Sequence, residues 1–224
     1  MPETARRRAP RGQGAALRGE VLAAAMDLLR ETGDEASVSL RAVAQRVGVS
    51  VPAIYLHFAD KNALLDAVCG EVFEALHVVM KEASAGASDA FDALRRQGIA
   101  YVRFALSNPE HYRIVMMRSN ADHDVSDEIA GGAFGYLLES VAECERLGVL
   151  EGDPVELGLR LWAGAHGIAA LLITKPNFPW PPVDELVERT IHAAGLGLAV
   201  ASRLPECRPA EEVVELLARL RSEP

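Results

Sequence analysis

The sequence predicts an all-α protein, in which a three-helix helix-turn-helix domain near the N-terminus precedes a larger helical domain. Three observations indicate this class. Aromatic residues make up only 5% of the chain, while Ala, Leu, Glu and Arg abound, and this composition favours helix. Helix-start signals recur along the whole chain. No segment shows the sustained apolar-polar alternation of a half-buried strand.

The first helix is expected over residues 17–31. Its apolar residues recur at the spacing of one helical face: Leu22, Ala25, Met26 and Leu29. Gly33 follows at the position where a glycine commonly ends a helix. The residues before this helix are Arg, Pro, Gly and Ala without periodicity, so residues 1–15 are expected to form a disordered basic arm.

Two short helices separated by a tight turn follow the first helix. Ser39 is a good N-cap for the second helix, and Gly48 is expected to end it. Ser50 is the N-cap expected for the third helix, and Pro52 sits in its first turn, where a missing backbone N–H costs little. The third helix is expected to continue through residue 58. Two short helices joined by a Gly-containing turn make a helix-turn-helix.

The rest of the chain is predicted to be helical, with a loop over 175–182, where four prolines occur. A strong helix start at Asp153 combines a cap residue with Pro154 in the first turn. The predicted helices cover 61–81, a short segment from 108, 126–148, 154–173, 183–203 and 210–221. We expect domain boundaries that give a helix-turn-helix domain over 16–61 and a larger helical domain over 62–224.

The charge of the chain is distributed unevenly. Residues 1–61 carry nine Lys and Arg against seven Asp and Glu, a net charge of +2, whereas residues 62–224 carry 14 against 25, a net charge of −11. A basic N-terminal segment on an acidic body is expected if only the N-terminal segment meets phosphate. Charge alone leaves open whether the basic arm contacts DNA or merely keeps the chain soluble.

Several classes of protein and site are not expected. The three cysteines form neither a disulfide framework nor a zinc signature, and they indicate reduced thiols in a cytoplasmic protein. The histidines lack close ligand spacing, so we expect no metal and no cofactor. The N-terminal arginines lack an apolar run, so no signal peptide is expected. The longest apolar run, over 161–173, is shorter than the roughly 18 residues of a membrane span. No catalytic motif such as GxSxG, HExxH or a Gly-rich phosphate loop occurs, so no enzyme is expected.

The stretch from Ser39 to Leu65, SLRAVAQRVGVSVPAIYLHFADKNALL, resembles the DNA-binding domain of the TetR/AcrR family of transcriptional regulators. The resemblance extends from the first helix, around Val21, through a Tyr-x-His-Phe-x-x-Lys signature at 55–61. It implies a helix-turn-helix whose second helix presents its N-terminal end to the major groove of double-stranded DNA.

The resemblance implies a role for individual residues. The expected major-groove contacts are Ser50, Val51, Pro52, Ala53 and Tyr55, and the expected phosphate contacts are Ser39, Arg41, His57 and Lys61. Many relatives carry a polar or basic residue where this chain has Val51, whose apolar side chain favours a thymine methyl over guanine. Arg41 is also open to being a solvated helix residue. Ile54 and Phe58 are assigned to the core.

Two further segments, 108–116 (NPEHYRIVM) and 161–167 (LWAGAHG), resemble a TetR C-terminal subfamily that carries a Trp-His-Gly motif. The resemblance implies a homodimer in which the helices over 154–174 and 183–203 pair with their twins. Both helices are largely apolar all round, which independently favours pairing, and they contain small residues that allow close contact: Gly164, Gly167, Gly195 and Gly197.

By the same resemblance, residues 62–224 form an effector-binding and dimerisation domain, and a ligand pocket is expected among its helices four to eight. The candidate lining residues are aromatic, His or Met side chains at helical spacing: Phe73, His77, Phe104, Tyr112, Met116, Met117, Phe134, Trp162 and His166. Each of them is also open to a plain core role. For His166, that alternative is a buried histidine bonded within its own subunit.

The function expected from these features is sequence-specific regulation of transcription by a homodimer on a palindromic operator. The family's commonest mode is a repressor that a small molecule releases from DNA. Binding of this unidentified effector is expected to shift the fourth helix, which starts at Lys61, and so to change the separation of the two reading heads. The alternatives are an activator or a ligand-independent DNA binder of the same fold, and a dimerisation module whose helix-turn-helix no longer binds.

Overall fold

The computed structural model describes residues 13–117 and 132–201, together with positions 212, 214, 215 and 218. Across this part of the chain the structure is all-α, without strands, which confirms the predicted fold class. The helices are α1 (Gln13–Thr32), α2 (Leu40–Val47), α3 (Val51–Tyr55), α4 (Lys61–Ser84), α5 (Ala90–Ser107), α6 (Pro109–Met117), α7 (Gly132–Arg146), α8 (Pro154–Thr174) and α9 (Val183–Ala201). A short 3₁₀ turn, Glu35–Ser37, lies between α1 and α2.

Side-chain caps fix several helix starts where the sequence predicts them. The Ser39 hydroxyl accepts a hydrogen bond from the Ala42 backbone N–H at 3.1 Å and so caps α2. The Asp153 carboxylate accepts from the Glu156 N–H at 2.9 Å at the start of α8, where Pro154 occupies the first turn. These two predicted starts are confirmed. The Ser50 side chain, by contrast, makes no capping hydrogen bond at the start of α3.

Some predicted boundaries are wrong. The first helix begins at Gln13 rather than at residue 17, because Ala15 and Ala16 are strong helix formers that extend it towards the N-terminus. The third helix ends at Tyr55 rather than at residue 58. There the N–H groups of residues 57 and 58 both bond to the Ile54 carbonyl, and the resulting turn buries Phe58.

One described helix was not predicted, and other predictions fall outside the described residues. No helix is predicted between 82 and 107, yet α5 occupies most of this stretch, with the Asp89 carboxylate accepting from the Asp92 N–H at its start. The basic arm up to residue 12, residues 126–131 and most of the helix predicted over 210–221 lie outside the described part of the chain.

The chain divides into two compact units, which we call unit 1 (residues 1–79 and 103–133) and unit 2 (residues 80–102 and 134–224). The predicted domain boundary at residue 61 stays a prediction. In unit 1 a core cluster joins α1, α2, α3 and the first turns of α4. Its members with 0–1% exposure are Val21, Ala25, Leu29, Val38, Val43, Ile54, Leu64, Leu65 and Val68.

Unit 2 has a core cluster of its own. Its buried members are Leu94, Val141, Cys144, Leu150, Leu157 and Leu198. Burial raises the pKa of the Cys144 thiol to about 11, so this cysteine behaves as an apolar core residue. Among the described helices, α8 is long and apolar enough to cross a membrane, but core helices of soluble proteins meet the same criterion, and seven of its residues are buried.

Candidate nucleic-acid interface and cavity

The turn between α2 and α3 has the backbone conformation that a tight helix-turn-helix needs. Gly48 adopts a φ of 75°, in the left-handed region that residues with a Cβ rarely adopt. The N–H groups of Gly48 and Val49 both donate to the Ala44 carbonyl at 3.0 Å, and so they satisfy the end of α2. The chain can therefore reverse within three residues and start α3 at once.

The inner face of this motif is locked into the core of unit 1. Val43 and Ile54, from the two helices of the motif, are both fully buried. An ion pair between Arg46 and Glu31 ties α2 to α1, with the Arg46 Nη1 at 2.8 Å from the carboxylate. The hydrogen bond from Arg46 lowers the pKa of the Glu31 carboxyl. Burial of Val43 and Ile54 thus holds the two short helices against the core, and the ion pair holds α2 against α1.

The outer face of α3 presents the residues that the sequence assigns to the major groove. Ser50 and Pro52 are exposed, and Tyr55 keeps 55% of its surface accessible although its neighbour Ile54 has none. Ala53 is half-buried. Val51 is also half-buried and packs against the core cluster, so only part of its side chain remains available for contact. The short helix thus offers one small, open surface.

The residues assigned to phosphate contact lie at the two ends of the motif. Ser39 and Arg41 are exposed at the start of α2, and His57 and Lys61 are half-buried after α3. The Lys61 ammonium donates to the Glu35 carbonyl at 2.7 Å, and so it holds the 3₁₀ turn against the start of α4. An ammonium has three donors, so this bond leaves capacity for a phosphate oxygen.

Leu56 is absent from the sequence-predicted set, yet it is 83% exposed beside Tyr55. Its open side chain therefore adds an apolar group to the candidate interface beside Tyr55. The sequence feature that could have identified Leu56 is its position between Tyr55 and His57 in the Tyr-x-His-Phe-x-x-Lys signature.

A cavity of about 50 Å³ lies within unit 2. Its walls come from the end of α4 and from α5, α7, α8 and α9. The lining residues are Met80, Phe91, Leu94, Arg95, Gln97, Gly98, Tyr101, Leu137, Leu161, Trp162, Ala165, Ile191, His192, Ala194 and Gly195. The lining is mostly apolar and contains no carboxylate, which is typical of small-molecule sites.

The residues predicted to line a pocket are not brought together by this cavity. Of that set, Trp162 alone is among its lining residues. Phe134 and His166 belong to the same unit, and the Phe134 ring packs edge-on against Trp162 at 5.8 Å between centroids. Unit 1 holds the others, namely Phe73, His77, Phe104, Tyr112, Met116 and Met117. The Met117 side chain lies outside the described residues.

The Trp and His of the Trp-His-Gly motif converge on one buried hydroxyl. The Trp162 indole N–H donates to the Tyr101 oxygen at 3.1 Å, and the same oxygen lies 3.4 Å from Nδ1 of His166. The Tyr101 hydroxyl donates to Nδ1 or accepts from it, according to which ring nitrogen of His166 carries the proton. Burial lowers the pKa of His166, which favours the neutral ring. The histidine is therefore bonded within its own subunit.

The described part of the chain contains no cluster of side chains suited to binding a metal ion. No group of three or more His, Cys, Asp or Glu side chains is placed there to hold a metal ion.

Family models match both parts of the chain. Residues 21–68 match the bacterial regulatory proteins of the tetR family, and residues 94–194 match the tetracyclin repressor-like C-terminal domain. The chain belongs to the TetR family. The first match contains the whole helix-turn-helix, and the second contains most of the cavity lining together with the Trp-His-Gly motif. The TetR resemblance read from the sequence is thus confirmed in both segments.

Individual relatives resemble this TetR-family regulator over different lengths. The tetracycline repressor protein class A from transposon 1721 of Escherichia coli is 50% identical over 48 residues, which are 21% of this chain and 22% of that protein. The class D tetracycline repressor of Escherichia coli is 40% identical over 60 residues, 27% of each chain. This chain therefore matches only about a quarter of the length of these curated relatives.

Solved structures match over nearly the whole chain. A protein with unknown function from Rhodococcus sp. RHA1 is 30% identical, with a TM-score of 0.69 over 88% of this chain and 100% of that one. A TetR family transcription regulator from Marinobacter aquaeolei VT8 has a TM-score of 0.62 over 83% of this chain and 98% of that one. At 19% identity, the second likeness shows the fold alone.

Proposed function

We propose that this TetR-family regulator acts as a homodimeric, sequence-specific DNA-binding repressor that a small molecule releases from a palindromic operator. The observation that carries the proposal is the exposed N-terminal end of α3 on a helix-turn-helix whose inner face is buried. Ser50, Pro52 and Tyr55 are open to a groove, while Ile54 anchors the same helix in the core. A short helix held in this way reads base edges with its first residues.

The two ends of the motif would set the register of the protein on the duplex. Arg41 and Ser39 at the start of α2, and His57 and Lys61 after α3, offer donors to phosphates on either side of the groove. Such contacts position the protein without carrying sequence information. Tyr55, which is large and polar at its tip, lies between these groups, where the edge of the groove would be.

A homodimer is supported by apolar surface on the last two described helices. Val155, Leu159 and Leu171 on α8 and Leu196 on α9 are between 39% and 49% exposed. Exposed aliphatic side chains on one pair of helices are typical of an interaction surface. A homodimer formed through this surface would carry two α3 helices, and reading successive major grooves on one face of DNA requires them to lie about 34–36 Å apart.

The glycines of α8 and α9 divide between two environments. A Cβ at Gly164 would lie 3.4 Å from that of Ala194, and one at Gly195 would lie 3.3 Å from the Phe91 ring, so these two serve packing within the chain. Gly167 and Gly197 have no atom within 4 Å of such a Cβ among the described residues. These two are therefore the positions where a partner helix could approach closely.

Release by a ligand is supported by the cavity and by the contacts of α6. The cavity wall includes Met80 of α4, the helix that begins at Lys61 directly after the reading segment. Within unit 1, the His111 Nε2 lies 3.1 Å from the Met26 carbonyl and so links α6 to α1. A ligand that binds one arrangement of these helices better than another would shift the population between DNA-bound and released states. Repression itself is suggested by the names of the curated relatives.

Selection of bound sequences from a random duplex pool at near-physiological salt tests the proposal. We expect the full chain to enrich a palindrome whose half-sites lie about one helical turn apart. Sedimentation of the protein on the enriched duplex should then show two chains per site. Enrichment of nothing above a scrambled pool, or of a single asymmetric site bound by one chain, would contradict the proposed regulator.

A further inference from the structure

Gln97 is a polar residue buried inside unit 2. Among the described residues, only one of the two polar atoms of its side-chain amide is hydrogen-bonded. The residue has no accessible surface. The Gln97 Nε2 donates a hydrogen bond to the Ser140 hydroxyl at 2.7 Å, and that hydroxyl donates to the Tyr136 carbonyl at 3.4 Å. Its Oε1 has no hydrogen-bond partner among the described residues.

An orphaned acceptor of this kind is unusual. Most buried polar atoms in folded proteins are hydrogen-bonded, because a lost partner leaves the desolvation penalty uncompensated. An apolar residue of similar size at position 97 would avoid that penalty, so the retained amide requires a physical reason. Gln97 lines the cavity, and a ligand bound there is the reason that its position suggests.

The other lining residues restrict the charge of such a ligand. Aliphatic and aromatic side chains form most of the wall, and no carboxylate is among them. The one guanidinium, of Arg95, already donates to the Asp92 carboxylate at 2.8 and 3.1 Å, and more than a third of its side chain is exposed. The interior therefore offers no uncompensated charge to an ionic ligand, and burying an unpaired charge is costly.

We propose that this cavity binds an uncharged, predominantly apolar small molecule that donates one N–H or O–H hydrogen bond to Oε1 of Gln97. The proposal rests on the proposed function, because it names the chemical class of the effector. An apolar cavity of about 150 Å³ is needed for a benzene ring, whereas this one measures about 50 Å³. A ring-sized ligand must therefore repack the wall, where Met80 is the most adaptable side chain. That repacking is the packing change through which the ligand would act.

Phenol and toluene are suitable probes because they have nearly the same shape and differ in one hydroxyl donor. Their dissociation constants would be measured by ligand-observed NMR titration of the full-length dimer, for wild type and for Gln97→Leu. We expect wild type to prefer phenol, relative to toluene, by about tenfold more than Gln97→Leu does, because the variant lacks the acceptor. Ser140→Ala is the matched control. It removes the neighbour of Gln97 but leaves Oε1 in place, so the preference should persist.

An equal phenol-to-toluene ratio in wild type and Gln97→Leu would overturn the proposal, and it is also the result expected if Oε1 bonds only to buried water. Two other results would overturn it as well: no binding of either probe up to its solubility limit, and tighter binding of benzoate than of phenol.

Operator binding by the same proteins separates this inference from the proposed function. A donor-dependent ratio without any effect of phenol on operator affinity would support the cavity assignment and contradict ligand release. If wild type and Gln97→Leu give the same phenol-to-toluene ratio while operator binding is intact, the proposed effector class is wrong. The DNA-binding proposal is then unaffected.

Discussion

The two units of this regulator differ in how their buried residues are packed. In unit 1, the nine residues with 0–1% exposure form a core around the helix-turn-helix, and nearby caps and turns satisfy its helix ends. In unit 2, the core is interrupted by a cavity that a buried, half-satisfied Gln97 lines. The helix-turn-helix is therefore built on a cluster of fully buried side chains, whereas unit 2 contains a cavity and, among the described residues, an unused polar atom.

The packing of each unit affects how much stability the protein loses when a buried residue is substituted. A closed core transmits the loss of a methyl group directly into stability, because the surroundings relax only partly. A core that already contains a cavity has room to rearrange. We therefore expect opposite responses to substitution in the two units.

The largest effect is expected for Ile54→Ala in unit 1. Ile54 is the fully buried residue of α3, and truncating such a residue lowers the free energy of unfolding by about 2–5 kcal/mol. The matched control is Leu56→Ala, two residues away and 83% exposed, for which a change within about 0.5 kcal/mol is expected. Urea unfolding at one fixed protein concentration measures both. Equal effects of the two variants would show that Ile54 does not lie in a closed core of unit 1.

A smaller effect is expected for the cap of α2. Ser39→Ala removes the hydroxyl that accepts from the Ala42 N–H, which should cost about 1 kcal/mol. Ser50 occupies the corresponding position before α3 but makes no capping hydrogen bond, so Ser50→Ala should cost clearly less in the same unfolding experiment. If Ser50→Ala is the more destabilising variant, the two caps have been assigned the wrong way round.

In unit 2 the expected sign reverses. Gln97→Leu removes an unsatisfied buried acceptor, and Ser140 keeps the Tyr136 carbonyl as its acceptor, so the variant should be neutral or more stable by up to about 1 kcal/mol. Thermal unfolding of the ligand-free protein measures the change. A loss of stability comparable to that of Ile54→Ala would mean that unit 2 is packed as tightly as unit 1.

The smallest effect concerns the pH dependence of unit 2. Burial lowers the pKa of His166 from its ordinary value of 6.5, so the unfolded chain takes up this proton at a higher pH than the folded chain. The stabilising contribution is therefore complete above about pH 6.5 and is lost as the pH falls towards the folded value. Between about pH 7.5 and about pH 5.5, wild type should lose more stability than His166→Asn, in which this group does not titrate. Equal losses would show that partial burial of His166 does not lower its pKa in the folded chain.

What the sequence predicts well is what local physics decides. The cap at Ser39, the turn at Gly48 and the core position of Ile54 each follow from neighbours within a few residues. The cavity does not, because its wall combines side chains that lie far apart in the sequence, such as Gln97, Leu161 and Ile191.

Two particular errors have the same origin. The end of α3 at Tyr55 depends on the burial of Phe58, which is a tertiary contact that helix propensity does not contain. The predicted pocket set was chosen by residue type, Met, His and aromatic, and so it could not include a glutamine whose importance comes from an unmatched hydrogen bond. A polar residue such as Gln97, placed between Leu94 and Tyr101 in an otherwise apolar helical face, is the signal that would have been needed.

The affinity of Tyr55→Ala for the duplex that wild type selects tests whether the α3 surface reads DNA. Leu147→Ala, an exposed apolar residue in unit 2, is the control. Because Tyr55 is 55% exposed, its loss should leave the free energy of unfolding nearly unchanged. We expect the dissociation constant of Tyr55→Ala to rise about tenfold or more at near-physiological salt, while Leu147→Ala binds like wild type. Equal affinities of the two variants would contradict the assignment of the α3 surface as the part that reads DNA.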